Sequence, residues 1–308
     1  GRRRVGLDFR RGGRVRRRLI SGGPRGTIPR MLIEIERRDY RATLDRARQL
    51  GGASLIVTSP PYPGSRDGQY GADVPAWREA DNRELGAAVL AGLAPGGVCA
   101  VNVFGRVKRW RKGFESERST AWMRLALDWQ DLGLRYLELY GYAREGLPGL
   151  FGPRHRSGLE PVHVFARPGA APIFDARGVT RPARQAGRFQ VAGSTGSHEG
   201  RRAGHHGPRG VQAERAAAST LINVGHVGGA GVGHPATFAP DLAEFFVRSY
   251  GGGGLVCDPF VGSGTVAVAA VKLGRPFVGG DLGSRINAIG GPVGEAWADV
   301  ARAAATAG

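Results

Sequence analysis

The chain has 308 residues, 41% of them hydrophobic, with two cysteines and a formal net charge of +18. That is enough apolar content for a sizeable core, arranged as one large domain or two ordinary ones. No apolar run approaches the roughly 20 residues that span a bilayer, and the N-terminus lacks the apolar stretch of a secretory signal; a cytoplasmic location with no membrane partner is the expectation.

The charge is uneven. Residues 1–30 hold eleven arginines against Asp8 alone, more than half of the excess. Such a balance points to a polyanionic partner, because basic side chains neutralise phosphates and release counterions. A GC-rich coding sequence also favours Arg, Gly and Ala whatever the function, and the only lysines are Lys108, Lys112 and Lys272. Met31 directly precedes an apolar segment and is a candidate start, with the basic arm as translated upstream sequence. Cys99 and Cys257 sit inside apolar runs and read as buried structural thiols.

In chain order, Leu32–Ile35 reads as a strand and Tyr40–Leu50 as a helix with Leu44, Ala47 and Leu50 near one face. A second strand, Ser54–Thr58, runs into Ser59-Pro60-Pro61-Tyr62. A helix around Asn82–Leu93 stops at Pro95-Gly96-Gly97, before a strand at Val98–Val103. Residues Phe104–Phe114 are basic and aromatic (Arg106, Lys108, Arg109, Trp110, Arg111, Lys112), which fits a nucleic-acid contact and a solvated loop equally well. A helix at Thr120–Leu132 and strands near Arg135–Tyr142 and Val162–Phe165 extend the pattern.

Residues 167–231 are rich in Gly, Arg, Ala, Pro and His with weak periodicity, a composition shared by recognition inserts and disordered linkers. His198, His205 and His206 lie there without cysteine or acidic partners at metal spacing, so no metal site is expected. Regular elements return as a helix at Pro240–Tyr250, a strand at Leu255–Cys257, a helix to Leu273 and a strand at Pro276–Val278 that ends in Gly279-Gly280-Asp281. Strands alternating with helices imply an α/β protein with a parallel sheet.

Two strand ends carry the chemistry. After Leu255–Cys257 comes Asp258-Pro259-Phe260-Val261-Gly262-Ser263-Gly264-Thr265, with Ala267 beyond, a helix, a strand, and Asp281 19 positions after Gly262. Glycines that let the backbone approach a ligand, a helix N-terminus and an acid at the next strand end make a nucleoside-cofactor site. Gly264-Thr265-Val266 lacks the lysine of a phosphate-binding loop, which disfavours ATP or GTP. A dinucleotide dehydrogenase fits the glycines but needs more strands than the 27 residues after Asp281 can build. The sheet must then be completed by earlier strands, so the cofactor half follows the other half in the chain.

Standing alone, Ser59-Pro60-Pro61-Tyr62 is a rigid strand-end turn. Beside the Gly-rich turn it resembles the N4-cytosine/N6-adenine DNA methyltransferases, in the subgroup where Pro-Pro-Tyr precedes the Gly-rich motif. The resemblance runs from about Ile35 to Leu282, apart from the insert. It rests on Thr58–Tyr62, Asp258–Val266, Leu93–Gly97 and His234-Pro235-Ala236-Thr237-Phe238. It implies a Rossmann-like, S-adenosylmethionine-dependent α/β fold with circularly permuted motif order and a Gly/Arg-rich insert. The implied parts are a basic, unstructured arm over 1–30, a catalytic half over 31–166, a target-recognition insert or linker over 167–231, a cofactor-binding half over 232–282 and a tail over 283–308.

By the same resemblance, Ser59, Pro60, Pro61 and Tyr62 are catalytic. The first two offer acceptors to a target amine and Tyr62 stacks on a base flipped from double-stranded DNA. Asp258, Phe260, Gly262, Gly264 and Thr265 line the methionine and ribose of S-adenosylmethionine, and Asp281 takes the ribose hydroxyls. Thr237 and Phe238 flank the methionine end. Asp39 stands near the adenine, where Arg38 replaces a usual glycine. Arg66-Asp67 with Tyr70 resembles an Arg-Asp-Tyr segment that shapes the base pocket in some members, and Ala239 replaces a usual proline. Neither cysteine follows a proline, which disfavours the thiolate chemistry of carbon-5 methylation. Serine before Pro-Pro-Tyr points to N4 of cytosine, with N6 of adenine as the alternative and an inactive DNA-binding relic as a reading of another class. A companion restriction endonuclease is a further partner of this kind of enzyme.

Overall fold

The computed structural model describes residues 15–16, 32–61, 78–105, 107–109, 116–143, 158–182, 189–190, 210–211, 215–223, 239–262 and 264–281. The first half contributes β1 (Val15–Arg16), β2 (Ile33–Arg37), α1 (Tyr40–Gln49), β3 (Ala53–Thr58), α2 (Glu79–Gly92) and β4 (Leu93–Asn102). A small hairpin, β5 (Val107–Arg109) and β6 (Ser116–Arg118), precedes α3 (Ala121–Asp131), β7 (Arg135–Ala143) and β8 (Leu159–Ala166). Short strands β9 (Thr180–Pro182), β10 (Phe189–Gln190), β11 (Gly210–Val211), β12 (Arg215–Ala217) and β13 (Leu221–Asn223) come next. The chain returns to the core with α4 (Pro240–Tyr250), β14 (Val256–Asp258), α5 (Thr265–Lys272) and β15 (Phe277–Asp281).

Nine strands form one sheet in the order β1-β2-β15-β14-β3-β4-β8-β7-β13. All neighbours are parallel except the pairs made by β1 and by β8. The last two strands of the described chain therefore lie between the first strands, with β15 against β2 and β14 against β3. From β14 the chain crosses to β15 on one side, and from β3 to β4 on the other. The border between β14 and β3 is thus the topological switch point, the place where an open α/β sheet leaves a crevice beyond its strand ends.

Helices cover both faces, which explains why every residue of β3 is buried and why the strand reads as an unbroken apolar run. One face packs Leu242, Phe246 and Val247 of α4 and Val266, Ala267 and Ala270 of α5 on Leu55, Val57 and Val256. The other packs Tyr40, Leu44 and Ala47 of α1, Leu85 and Val89 of α2, and Leu125 and Trp129 of α3 on Ile56, Val101, Cys257 and Val278. In α1 the inward set Tyr40, Thr43, Leu44 and Ala47 follows helical spacing, and Asp39 caps the start by accepting the Ala42 N–H at 2.8 Å. Pro240 at the first turn of α4 supplies its fixed φ where no N–H partner is needed. No helix among the described residues is long and apolar enough to cross a membrane.

Several details depart from the sequence reading. Pro95-Gly96-Gly97 does not end a turn before a strand. It is a wide irregularity inside β4, where Leu93 pairs with Ala53 and Val98 already pairs with Leu55. Gly96, at φ +72°, lets that bulge hydrogen-bond to Arg167 and Ile173. From the Gly/Arg-rich stretch, β13 joins the main sheet parallel to β7, and β12 pairs with β9. From the basic arm, Val15–Arg16 adds a two-residue antiparallel edge to β2.

Gly279 and Gly280 close β15 and bring two loops against it. A Cβ at Gly279 would overlap Val261, and one at Gly280 would overlap Thr43 and Arg38 at the start of α1. Gly280→Ala is expected to destabilise the protein by about 1–3 kcal/mol through overpacking. Urea unfolding would measure it, and an unchanged midpoint would show that α1 withdraws without cost.

Candidate active site

The carboxyl ends of β3 and β14 are tied directly together. Thr58 Oγ1, 1% exposed, donates a 2.8 Å hydrogen bond to Asp258 Oδ1. The same oxygen accepts the Phe260 N–H at 3.0 Å, which folds the chain back over the strand end. Burial pushes the Asp258 carboxyl up to about 7, and the charge of Asp281 adds to the shift, while the two donated hydrogen bonds oppose it. Asp258 is thus a buried brace shared by two strand ends and a turn.

From this brace the Gly-rich turn is built outwards. Val261 N–H donates to Gly280 O at 3.1 Å, Gly264 N–H to Val261 O at 2.8 Å, and Gly262 N–H to Asp281 Oδ2 at 2.9 Å. The last bond links the turn after β14 to the end of β15. Gly262 (φ +49°) and Gly264 (φ +81°) both occupy left-handed backbone that side chains rarely adopt. Gly264 precedes α5, no side chain among the described residues caps that helix, and a Cβ on Gly264 would meet nothing within 4 Å among the described residues. Thr265 opens the helix. An uncapped helix start next to a carboxylate at the neighbouring strand end is suited to a polar nucleoside ligand.

On the other side of the switch point, β3 hands over to Ser59 and Pro61, both partly exposed, and to Pro60, which is buried. The structure therefore brings Ser59, Pro60, Pro61, Asp258, Phe260, Gly262, Gly264, Thr265 and Asp281 to one edge of the sheet. Asp39 lies on that edge too, two residues beyond Arg37, which pairs with Asp281. Its Oδ1 is engaged as the cap of α1. Tyr62, Arg66, Asp67, Tyr70, Thr237 and Phe238 lie outside the described residues, as do His234-Pro235-Ala236, Trp110 and the histidines at 198, 205 and 206. Cys99 and Cys257 are free and buried, and burial pushes both thiols up, so neither is poised as a nucleophile.

Two features of the site escape a motif search. Thr58 was legible as the last residue of a strand and the first of the Thr58–Tyr62 motif, but neither names its partner: its hydroxyl joins segments 200 residues apart. Tyr40 stacks on Phe260, ring centroids 5.6 Å apart and planes 24° from parallel, a contact that no local pattern announces.

The sequence matches the family described as DNA methylase, which comprises N6 and N4 methyltransferases, over residues 53–289. The chain belongs to this family of S-adenosylmethionine-dependent DNA methyltransferases. No curated protein shows a significant match. Among solved structures, the fold is similar to PvuII DNA methyltransferase (cytosine-N4-specific), at 17% identity and a TM-score of 0.59, covering 89% of this chain and 94% of that one. TTHA0409 of Thermus thermophilus, solved in complex with S-adenosyl-L-methionine, is 20% identical with a TM-score of 0.54, over 88% of this chain and 93% of that one. These likenesses establish the fold.

The raised Asp258 carboxyl makes stability depend on pH. Its ordinary value is 3.8, so between about pH 4 and 7 the folded protein keeps a proton that the unfolded chain releases, and stability falls as pH rises across that window. Chemical denaturation of the Asp258→Asn variant should lose this slope; a slope equal to that of the unaltered protein would contradict the burial of the charge. Thr58→Val, which removes the donor at constant shape, should cost about 1–3 kcal/mol.

Proposed function

We propose that this protein is a site-specific DNA methyltransferase acting on the exocyclic N4 amino group of cytosine, on a base flipped out of duplex DNA. The observation that carries the reading is the Thr58–Asp258 hydrogen bond, because it fastens the Ser-Pro-Pro turn and the Gly-rich turn to adjacent strand ends. A site of acceptors for the target amine and a nucleoside cofactor site are then neighbours across one crevice.

S-adenosylmethionine, when bound, supplies an electrophilic methyl group on a sulfonium sulfur. The residues present fit it: Gly262 and Gly264 keep two positions of the turn without a side chain, and no side chain among the described residues caps the start of α5. In this reading Asp258, Phe260 and Thr265 line the methionine and ribose, Asp281 takes the ribose hydroxyls, and Thr237 and Phe238 flank the methionine end. Asp39 acts on the adenine side through the helix start that it caps.

An exocyclic amine is a poor nucleophile because its lone pair is delocalised into the ring. Ser59 Oγ and the Pro60 carbonyl accept hydrogen bonds from its two N–H groups, return electron density to the nitrogen and aim the lone pair at the methyl group; one N–H is retained in the product and the other proton leaves to solvent. Pro60 and Pro61 restrict the backbone, so the acceptors need little reorganisation. Tyr62 stacks on the flipped base. Holding amine and methyl in line contributes up to about 7–11 kcal/mol in favourable intramolecular reactions, which makes alignment the main contribution of the site. Ser59 favours cytosine, and the excess of basic residues suits a duplex partner.

The test is incubation of purified protein with S-adenosylmethionine and DNA, followed by digestion and mass spectrometry of the nucleosides. N4-methylcytosine is expected. N6-methyladenine would overturn the choice of base, and cofactor binding without any methylated base would favour an inactive DNA-binding protein. Base–aromatic stacking is worth about 1–3 kcal/mol, so Tyr62→Ala should lower turnover roughly 5- to 150-fold with cofactor affinity kept. Asp281→Ala should do the reverse, weakening cofactor binding more than turnover at saturation.

A further inference from the structure

A second layer stands behind the Gly-rich turn. Tyr40 is the first residue of α1 and is only 6% exposed, because its ring reaches across the carboxyl end of β15 to lie flat on Phe260. Gly279 and Gly280 make that reach possible by letting Val261 approach the end of β15 and α1 dock against it. The Tyr40 hydroxyl donates to Glu84 Oε2 at 3.2 Å. Glu84 also pairs with Arg41, whose guanidinium sits 4.6 Å over the Tyr40 ring. A ring that only filled the core would need neither a carboxylate for its hydroxyl nor a cation over its face.

Burial, opposed in part by Arg41, pushes the Tyr40 phenol up to about 12, so it remains a donor throughout the neutral range. The Arg41 hydrogen bond holds the Glu84 carboxyl below its ordinary value, so the acceptor stays ionised. Glu84 belongs to α2, the helix that follows the Ser59-Pro60-Pro61 turn in the chain. The contacts therefore run from α2 through Tyr40 to Phe260.

We infer that Tyr40 is a positioning residue for the cofactor site: it fixes the ring plane of Phe260 and is itself held by the Glu84–Arg41 pair. The inference rests on the methyltransferase reading, in which Phe260 faces S-adenosylmethionine. Its consequence is a split between binding and chemistry. Loss of the ring lets Phe260 turn and weakens the cofactor complex, while the acceptors at Ser59 and Pro60 remain in place.

The experiment is calorimetric titration of the full chain with S-adenosylmethionine, paired with steady-state methylation of DNA. Tyr40→Leu is expected to raise the cofactor Kd and KM about tenfold, a difference that K values of this kind resolve readily, with kcat at saturating cofactor within about twofold. Tyr40→Phe keeps the stacking and loses the tether, so its Kd should rise about two- to threefold, and Glu84→Gln should match it. Tyr40→Leu binding the cofactor within twofold of the unaltered protein would overturn the inference, as would an equal fall in kcat and no change in KM. If Tyr40→Leu does not fold, Glu84→Gln decides, since that side chain is 58% exposed; an unchanged Kd would then overturn the tether. Unaltered protein that binds no S-adenosylmethionine would sink the methyltransferase reading itself, and this inference with it.

Discussion

The hydrogen bond between Thr58 and Asp258 organises everything at the reactive edge of the sheet. Backbone pairing of β3 with β14 brings Leu55 and Ile56 opposite Val256 and Cys257. It does not determine how the chains leave their strands. The side-chain bond does, because Asp258 simultaneously receives Phe260 N–H and so sets the direction of the Gly-rich turn. A buried carboxylate without donors would be costly, and one with two donors on a single oxygen is a rigid corner.

The two acids of the site divide their tasks by burial. Asp258 is 4% exposed and committed to the protein, whereas Asp281 is partly exposed and reaches the turn through Gly262 N–H. Burial drives the Asp258 carboxyl upward, and the charge of Asp281 adds a smaller push in the same direction. Asp258 braces the two strand ends from below, whereas Asp281 stays partly exposed beside the turn, so equal substitutions at the two positions meet different surroundings.

Much of this was legible because it is local. Apolar runs marked the positions of β3, β14 and β15, helical spacing marked α1 and α4, and the two strand-end motifs announced themselves within a few residues. What escaped is set by contacts distant in the chain. Nothing near Thr58 names Asp258 as its partner, and nothing near Tyr40 names Phe260 or Glu84. Pro95-Gly96-Gly97 has the composition of a turn and becomes a bulge only because Arg167 and Ile173 are there to pair with it. Leu221–Asn223 is too short to read as a strand amid Gly and Arg, and it joins the sheet because the edge of β7 is available. Asp39 was read as a residue of the adenine side, and its role as the cap of α1 came only from the structure.

The insertion of β15 and β14 between β2 and β3 also constrains how the molecule can form. During synthesis at about 5–20 residues per second, β2 and β3 emerge early and wait on the order of ten seconds or more for the strands that belong between them. Until then the facing edges of β2 and β3 lack their native partners and lie close in the chain, which allows a non-native β2–β3 pairing to compete. The sheet has high contact order at its centre, and the same late segment that completes the ligand site is the one that locks the fold. The strands that complete the centre of the sheet are thus the same ones that carry the Gly-rich turn and Asp281.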